Sequence, residues 1–211
     1  VFPSEAGRAW DFEANGMVDA VGSLVQDGRV KLYCVDSVDA DTWSDRSLPI
    51  EERAIRHGIY TRWLTDILVP WIHADTSPGA ELIATGCSPG AYHAVQLALQ
   101  RADLAPLAIG LSGNYDVTTW RAWGERGEAT YFANPTDYVP NLHGDHLDGH
   151  PERLAEHQLQ RRHRVVPAGG RRPLVVGRAP AGDDHRRAAG QRLLAVRPER
   201  HRGAQHVHVV E

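Results

Sequence analysis

The sequence predicts an α/β fold built on a parallel sheet. Two observations carry the prediction: strand-like apolar runs alternate with helix-length segments through the first two-thirds of the chain, and no internal repeat interrupts that alternation. A third observation bounds it. All six Trp, all six Tyr and all three Phe lie at or before Tyr138, and the 73 residues from Val139 onward contain no aromatic, Ser, Thr, Lys, Ile, Met or Cys. A segment without aromatic or hydroxyl residues has little from which to build a core or its turns. The chain therefore divides into a folded piece, residues 1–148, and an Arg/His/Gly/Pro-rich tail, residues 149–211, expected to be disordered or altered.

In order, "VFPSEAGRAW" (1–10) reads as a strand end running into a loop. "ANGMVDAVGSLVQDG" (14–28) reads as a helix closed by Gly28, and "RVKLYCVD" (29–36) as a strand. The segment from Leu48 to Ile72 reads as a long helix, with acidic Glu51 and Glu52 near its start and Ile55, Ile59, Trp63 and Ile67 as its apolar face. After the turn "TSPGA", "ELIATGC" (81–87) is a strand, "AYHAVQLALQRA" (91–102) a helix and "LAPLAIGLSG" (104–113) a buried strand. "TTWRAWGERGEATYF" is helix and loop, and "NPTDYVPNLHGDH" a loop. In the tail, "PLVV" (173–176) is strand-like and residues 186–196 could form a helix.

The length suits one domain with a sizeable core. A formal net charge of -4 argues against a nucleic-acid or membrane partner for the whole chain. Two cysteines, Cys34 and Cys87, make no disulfide framework, so a reducing, cytoplasmic compartment is expected. There is no run of 18 apolar residues and no signal peptide; opening on Val1, directly in a strand, the sequence is expected to begin inside a longer protein.

The chemistry centres on "IATGCSPGAYHAVQLALQ". Gly86-Cys87-Ser88-Pro89-Gly90 is a G-x-S-x-G pentapeptide between a strand and a helix, where a tight turn presents a serine nucleophile and the glycines admit neighbouring backbone. This stretch, together with "VFPSEAGRAWDFEANGMVDAV", "RVKLYCVDSVDADTWSDRSLP", "HGIYTRWLTDILVPWI", "LAIGLSGNYD" and "GERGEATYFANPTDYVPNLHGDHLD", resembles bacterial α/β-hydrolases of the esterase group related to esterase D and to the mycolyltransferase-type esterases. The resemblance covers nearly all of residues 1–148. It implies a doubly wound, mostly parallel sheet truncated at the N-terminus, with Ser88 as nucleophile. It also implies an oxyanion-hole N–H from the loop at Ser4, Glu5 and Ala6, carboxylic esters as substrates, an acyl-serine intermediate and no cofactor.

Two departures accompany it. Pro89 stands where the group has methionine or leucine, and the backbone N–H after the nucleophile, one of two oxyanion donors, is absent. Proline also biases Ser88 toward extended angles, away from a strained turn. Secondly, the group's acid block, of the type "GQWEDTTGAL", and its "WGHD"-type histidine block are missing. The tail has the composition of a GC-rich gene read out of frame: shifted by one nucleotide, Gly182 to Ala188 can encode E-T-T-T-G-A-L. A frameshift near Asp148 that removed both blocks is therefore expected, leaving an impaired esterase. Asp183, Asp184, His206 and His208 are the candidates for acid and histidine that the tail itself offers.

Other residues have simpler readings. His143, His146 and His150 beside Asp145 and Asp148 suit a polar loop better than a metal site, and no metal is expected. Asp116 is a loop residue near the site mouth; Asp36, Asp39, Asp41 and Asp45 form a solvated acidic face. Tyr92 and His93 pack in the elbow helix, and Cys87 points into the sheet as a small core residue. The competing reading is a hydrolase remnant whose tail, with 13 arginines in residues 148–211, binds nucleic acid or another acidic partner; it lacks aromatics to stack bases. A truncated sheet would also expose apolar surface and lower solubility. The sequence leaves the oligomeric state open.

Overall fold

The computed structural model describes residues 1–143 and the strand segments 191–196 and 205–210. Its strands are β1 (Leu32–Val35), β2 (Ile83–Cys87), β3 (Leu107–Leu111), β4 (Gln191–Val196) and β5 (Gln205–Val210). Its helices are α1 (Asp11–Ala14), α2 (Met17–Ala20), α3 (Gly22–Gln26), α4 (Ile50–Trp63), α5 (Val69–Asp75), α6 (Pro89–Gln100), α7 (Glu128–Ala133) and α8 (Pro135–Tyr138). Helices and strands mix as an α/β chain.

β2 and β3 pair in parallel, from Ile83↔Leu107 to Cys87↔Leu111. β1, β5 and β4 form an antiparallel set in that order, with Cys34 opposite His208. The first two residues lie between the two sets. The Val1 amino group donates to Tyr33 O and Val35 N to Val1 O, while Phe2 N donates to Thr85 O and Phe2 bridges Gly86 in parallel. Backbone hydrogen bonding thus runs from β4 through β5, β1 and Val1–Phe2 to β2 and β3, parallel from β1 onward and antiparallel beyond it.

That arrangement corrects the expectation for the end of the tail. Residues 191–196 form a strand, not part of a helix, and β5 is a packed strand: Val207, Val209 and Val210 are buried, two of them against Phe2, Tyr33 and Trp63 in the main core. Val207 and Val209 face the main core while His208 and Val210 are buried on the other side, so the strand is covered on both faces despite its Val/His alternation. "PLVV" lies outside the described residues.

The long helix forms, but in three sections. Pro70 has no N–H to give to the preceding turn, and the backbone widens into a π turn over Leu64–Leu68 before α5 resumes. Its buried face also differs from the expected one. Ile55 and Ile67 are exposed, whereas Ile50, Arg53, Ala54, His57, Tyr60 and Trp63 are buried. The inward stripe carries two ionisable residues, which hides it from an apolar-periodicity reading. The segment read as one helix over 14–28 holds two short helices, α2 and α3, set off from the end of α1 at Gly16 with φ 73°. The expected 134–146 loop contains α8 and a 3-10 turn.

α6 covers one face of β2 and β3, burying Ala91, Ala94, Leu97 and Ala98. The opposite face is open: Ile83, Leu107, Ile109 and Leu111 are each between 37% and 48% exposed. Cys87 lies on that open face and is exposed, which corrects its assignment to the core.

Candidate active site

Ser88 is the single residue between β2 and α6, and its backbone is strained: φ 58°, ψ -122°. A non-glycine residue rarely holds such angles, and the cost of about 1–3 kcal/mol persists only where surrounding structure imposes it. The expectation that Pro89 would draw Ser88 into extended geometry is therefore corrected. Pro89 instead occupies the first turn of α6, where its missing N–H breaks no helical bond and its fixed φ favours the helix.

The two glycines explain how the strain is held. A Cβ on Gly86 would lie 2.4 Å from the Gly90 carbonyl and 2.8 Å from Phe2 O. A Cβ on Gly90 would lie 2.4 Å from Pro3 O and 2.5 Å from Phe2 O. Strand end, helix start and N-terminal segment therefore meet backbone to backbone, an approach that only glycine permits. Beyond Pro3 the chain turns tightly, with Gly7 N bonding Ser4 O and Ala6 at φ 53°. Ala9 N donates to the buried Asp36 carboxylate and Ser37 N to Gly7 O, fixing the loop against the end of β1. Glu5, from this loop, and Ser88 line one cavity of about 330 Å³.

The cavity wall was largely illegible in the sequence. It includes Asp39, Trp43, Arg46, Trp120 and Arg121. Asp39 is 1% exposed and Asp36 2%, so half of the acidic run expected to be a solvated face is interior. The Asp39 carboxylate accepts from His93 Nε2 at 2.9 Å and from the Ser37 hydroxyl at 2.6 Å; His93 Nδ1 in turn lies 3.1 Å from His57 Nε2. Burial alone would raise the Asp39 pKa, but the His93 and Ser37 interactions outweigh it and hold it below the ordinary carboxylate value. Burial, and then His93, push His57 down to about 3, with Asp39 pulling weakly the other way.

A pH prediction follows from His57. The unfolded chain takes up a proton near pH 6.5 that the folded protein refuses until about pH 3. Stability is full above the unfolded value and falls as pH drops through that window, at up to about 1.4 kcal/mol per pH unit. The loss by pH 5 should be about 2 kcal/mol. Urea midpoints measured at pH 7 and pH 5 should differ accordingly, and His57→Phe should flatten the difference; equal wild-type midpoints would contradict it.

Of the expected partners of Ser88, none is an imidazole on this wall among the described residues. His208 sits in β5 with Nε2 3.1 Å from a Glu13 oxygen, without the alignment of a hydrogen bond. Asp183 and Asp184, and the side chain of His206, lie outside the described residues. Asp116 caps a 3-10 turn, accepting from Thr118 N and Oγ1. His143 bonds Asn141 O; Asp145, His146, Asp148 and His150 lie outside the described residues. Among the described residues no three His, Cys, Asp or Glu side chains gather as metal ligands, and no helix is long and apolar enough to cross a membrane. No family model, curated protein or solved structure matches the chain.

Proposed function

We propose that the protein is a serine hydrolase for carboxylic esters with an α/β-hydrolase-like sheet, impaired in turnover. The observation that carries the reading is the Ser88 backbone, at φ 58° on a strand-to-helix junction and flanked by two glycines pressed against Phe2 and Pro3. A strained junction of this kind exposes a hydroxyl beside backbone donors. The insertion of Val1–Phe2 between β1 and β2 supports the same reading, because it carries the Ser4–Ala6 loop to the mouth of the Ser88 cavity.

In the reaction, Ser88 Oγ attacks the ester carbonyl while its proton passes to a base. The C–O bond to the alcohol breaks, the alcohol leaves with a proton, and an acyl-serine remains for water to hydrolyse. The described wall offers carboxylates, Glu5 and Asp39, rather than an imidazole, and Pro89 donates no N–H to the developing oxyanion. Acylation by activated reagents should outrun turnover. Both cysteines are free thiols, Cys34 buried and Cys87 exposed.

The test is intact-mass analysis after exposure to a fluorophosphonate. One adduct should form, map to the peptide carrying Ser88 and vanish in Ser88→Ala. An adduct that survives in Ser88→Ala, or no adduct after prolonged exposure, would remove the reading.

A further inference from the structure

The chemistry of the cavity wall narrows the substrate. Arg46 and Arg121 both line the cavity that holds Ser88, and both are exposed. Their backbone carbonyls are engaged, Arg46 O by Trp123 Nε1 and Arg121 O by Arg53 Nη2, but among the described residues neither guanidinium has a carboxylate or carbonyl partner. The acids of this wall, and Asp45 next to Arg46 in the chain, are already hydrogen-bonded. Glu5 accepts from the Ser44 hydroxyl, Asp39 is held by His93 and Ser37, and Asp45 accepts from Ser47. The wall thus carries two carboxylates whose oxygens are taken up by hydroxyl and imidazole donors, and two guanidinium groups whose donors are not taken up by any described acceptor.

Two further features belong to the same wall. Trp43, on the same wall, is 4% exposed, and its indole N–H has no acceptor. A buried donor without a partner is costly; this nitrogen is itself shut off from solvent, so it lies behind the cavity wall rather than facing the ligand space. Arg121 is also one of the few non-glycine residues with positive φ, 51°, and the buried Arg53 holds its carbonyl in that conformation. Strain retained at a cavity wall marks a position fixed by its surroundings.

We propose that the cavity takes esters bearing a second, ionised carboxylate, the half-esters of short dicarboxylic acids, with the free carboxylate held by Arg46 and Arg121. The class rests on the reading of Ser88 as nucleophile. Its size follows from the volume: about 330 Å³ is at the lower end for a ligand site, enough for a chain of a few carbons but not for a long acyl group. Guanidinium groups suit this task because they present paired donors that match a carboxylate.

The experiment has a binding arm and a reaction arm, both on the full chain. In the first, glutarate and the neutral pentanamide are titrated while tryptophan fluorescence is followed, at low and at moderate salt. Glutarate should give a saturable change that weakens with salt, and pentanamide none. Arg46→Gln and Arg121→Gln, at exposed positions that should leave the thermal midpoint unchanged, should each weaken glutarate by about tenfold. In the second arm, 4-nitrophenyl hydrogen glutarate and 4-nitrophenyl pentanoate are compared for the nitrophenol burst, corrected for spontaneous hydrolysis. The preference for the anionic ester should fall by about tenfold in either variant.

Glutarate that fails to saturate, or that binds the double variant as well as the wild type, overturns the proposal. If both esters give equal bursts in the wild type and in the arginine variants, and Ser88→Ala gives none, Ser88 is the nucleophile and the proposal is overturned. If glutarate binds through the two arginines but neither ester gives a burst, the anion site stands and the esterase reading falls.

Discussion

Arg53→Met is expected to lower the free energy of unfolding by about 3–5 kcal/mol, a large part of what holds an ordinary domain together. Arg53 is 1% exposed and has no carboxylate partner among the described residues. Its guanidinium instead donates to four backbone carbonyls: Leu48 O at 2.8 Å, Trp43 O and Trp120 O at 3.3 Å, and Arg121 O at 3.2 Å. One side chain on α4 therefore ties the loop at 43–48 to the loop at 120–121, and those loops carry Trp43, Arg46, Trp120 and Arg121 of the cavity wall.

Burying a cation costs free energy, and a volume-matched apolar residue can sometimes improve on a buried ion pair. Here that gain is unavailable, because the acceptors are main-chain oxygens that stay when the arginine goes. Each carbonyl left without a donor costs about 1–3 kcal/mol where water cannot reach it. The cover over Arg53 is thin, since it lies under loops rather than at the centre of the molecule, so water replacing some of the donors keeps the total below the sum of four. Urea denaturation followed by fluorescence measures the loss; Arg53→Lys, which keeps the charge but not the fork, should fall between the two. A loss under about 1 kcal/mol would show that the carbonyls find other donors and that Arg53 is not the tie between the loops.

What the sequence could and could not disclose follows from the range of the interactions. The elbow was legible because all its parts are local: strand, turn glycines, serine and helix lie within 18 residues, and each needs a residue type that its neighbours also need. The strands β1, β2 and β3 were legible for the same reason, as apolar runs bounded by turns. The Asp39–His93–His57 line was not, because its two contacting pairs are 36 and 54 positions apart and nothing local couples them. Arg53 and His57 misled the reading of α4, since a buried face is ordinarily apolar and here two of its six buried positions are polar. β5 was masked by composition: a tail poor in aromatics looked unable to pack, yet valines at 207, 209 and 210 are enough to join a core that other segments supply.

The same distinction makes Pro89 the position where one substitution should raise activity. Pro89→Leu is expected to accelerate the nitrophenol burst by about 10²–10³-fold, the usual worth of one oxyanion donor. Two backbone donors ordinarily stabilise the charge that develops when a serine attacks an ester, and the residue after the serine supplies one of them. Pro89 sits there and lines the cavity beside Ser88, yet has no N–H to give. Leucine restores the hydrogen without adding a charge, and the first turn of α6 does not need proline to form. The stability cost should be modest, about 0.4–1 kcal/mol, because proline at a compatible site acts mainly by restricting the unfolded chain. Deacylation needs a base that the described wall does not offer as imidazole, so the burst should quicken far more than steady turnover does. The Ser88→Ala/Pro89→Leu double variant should show no burst at all. A burst unchanged in Pro89→Leu would mean that the N–H at position 89 does not face the oxyanion; the strained backbone at Ser88 would then serve the packing of Phe2 and Pro3 against Gly86 and Gly90 rather than catalysis.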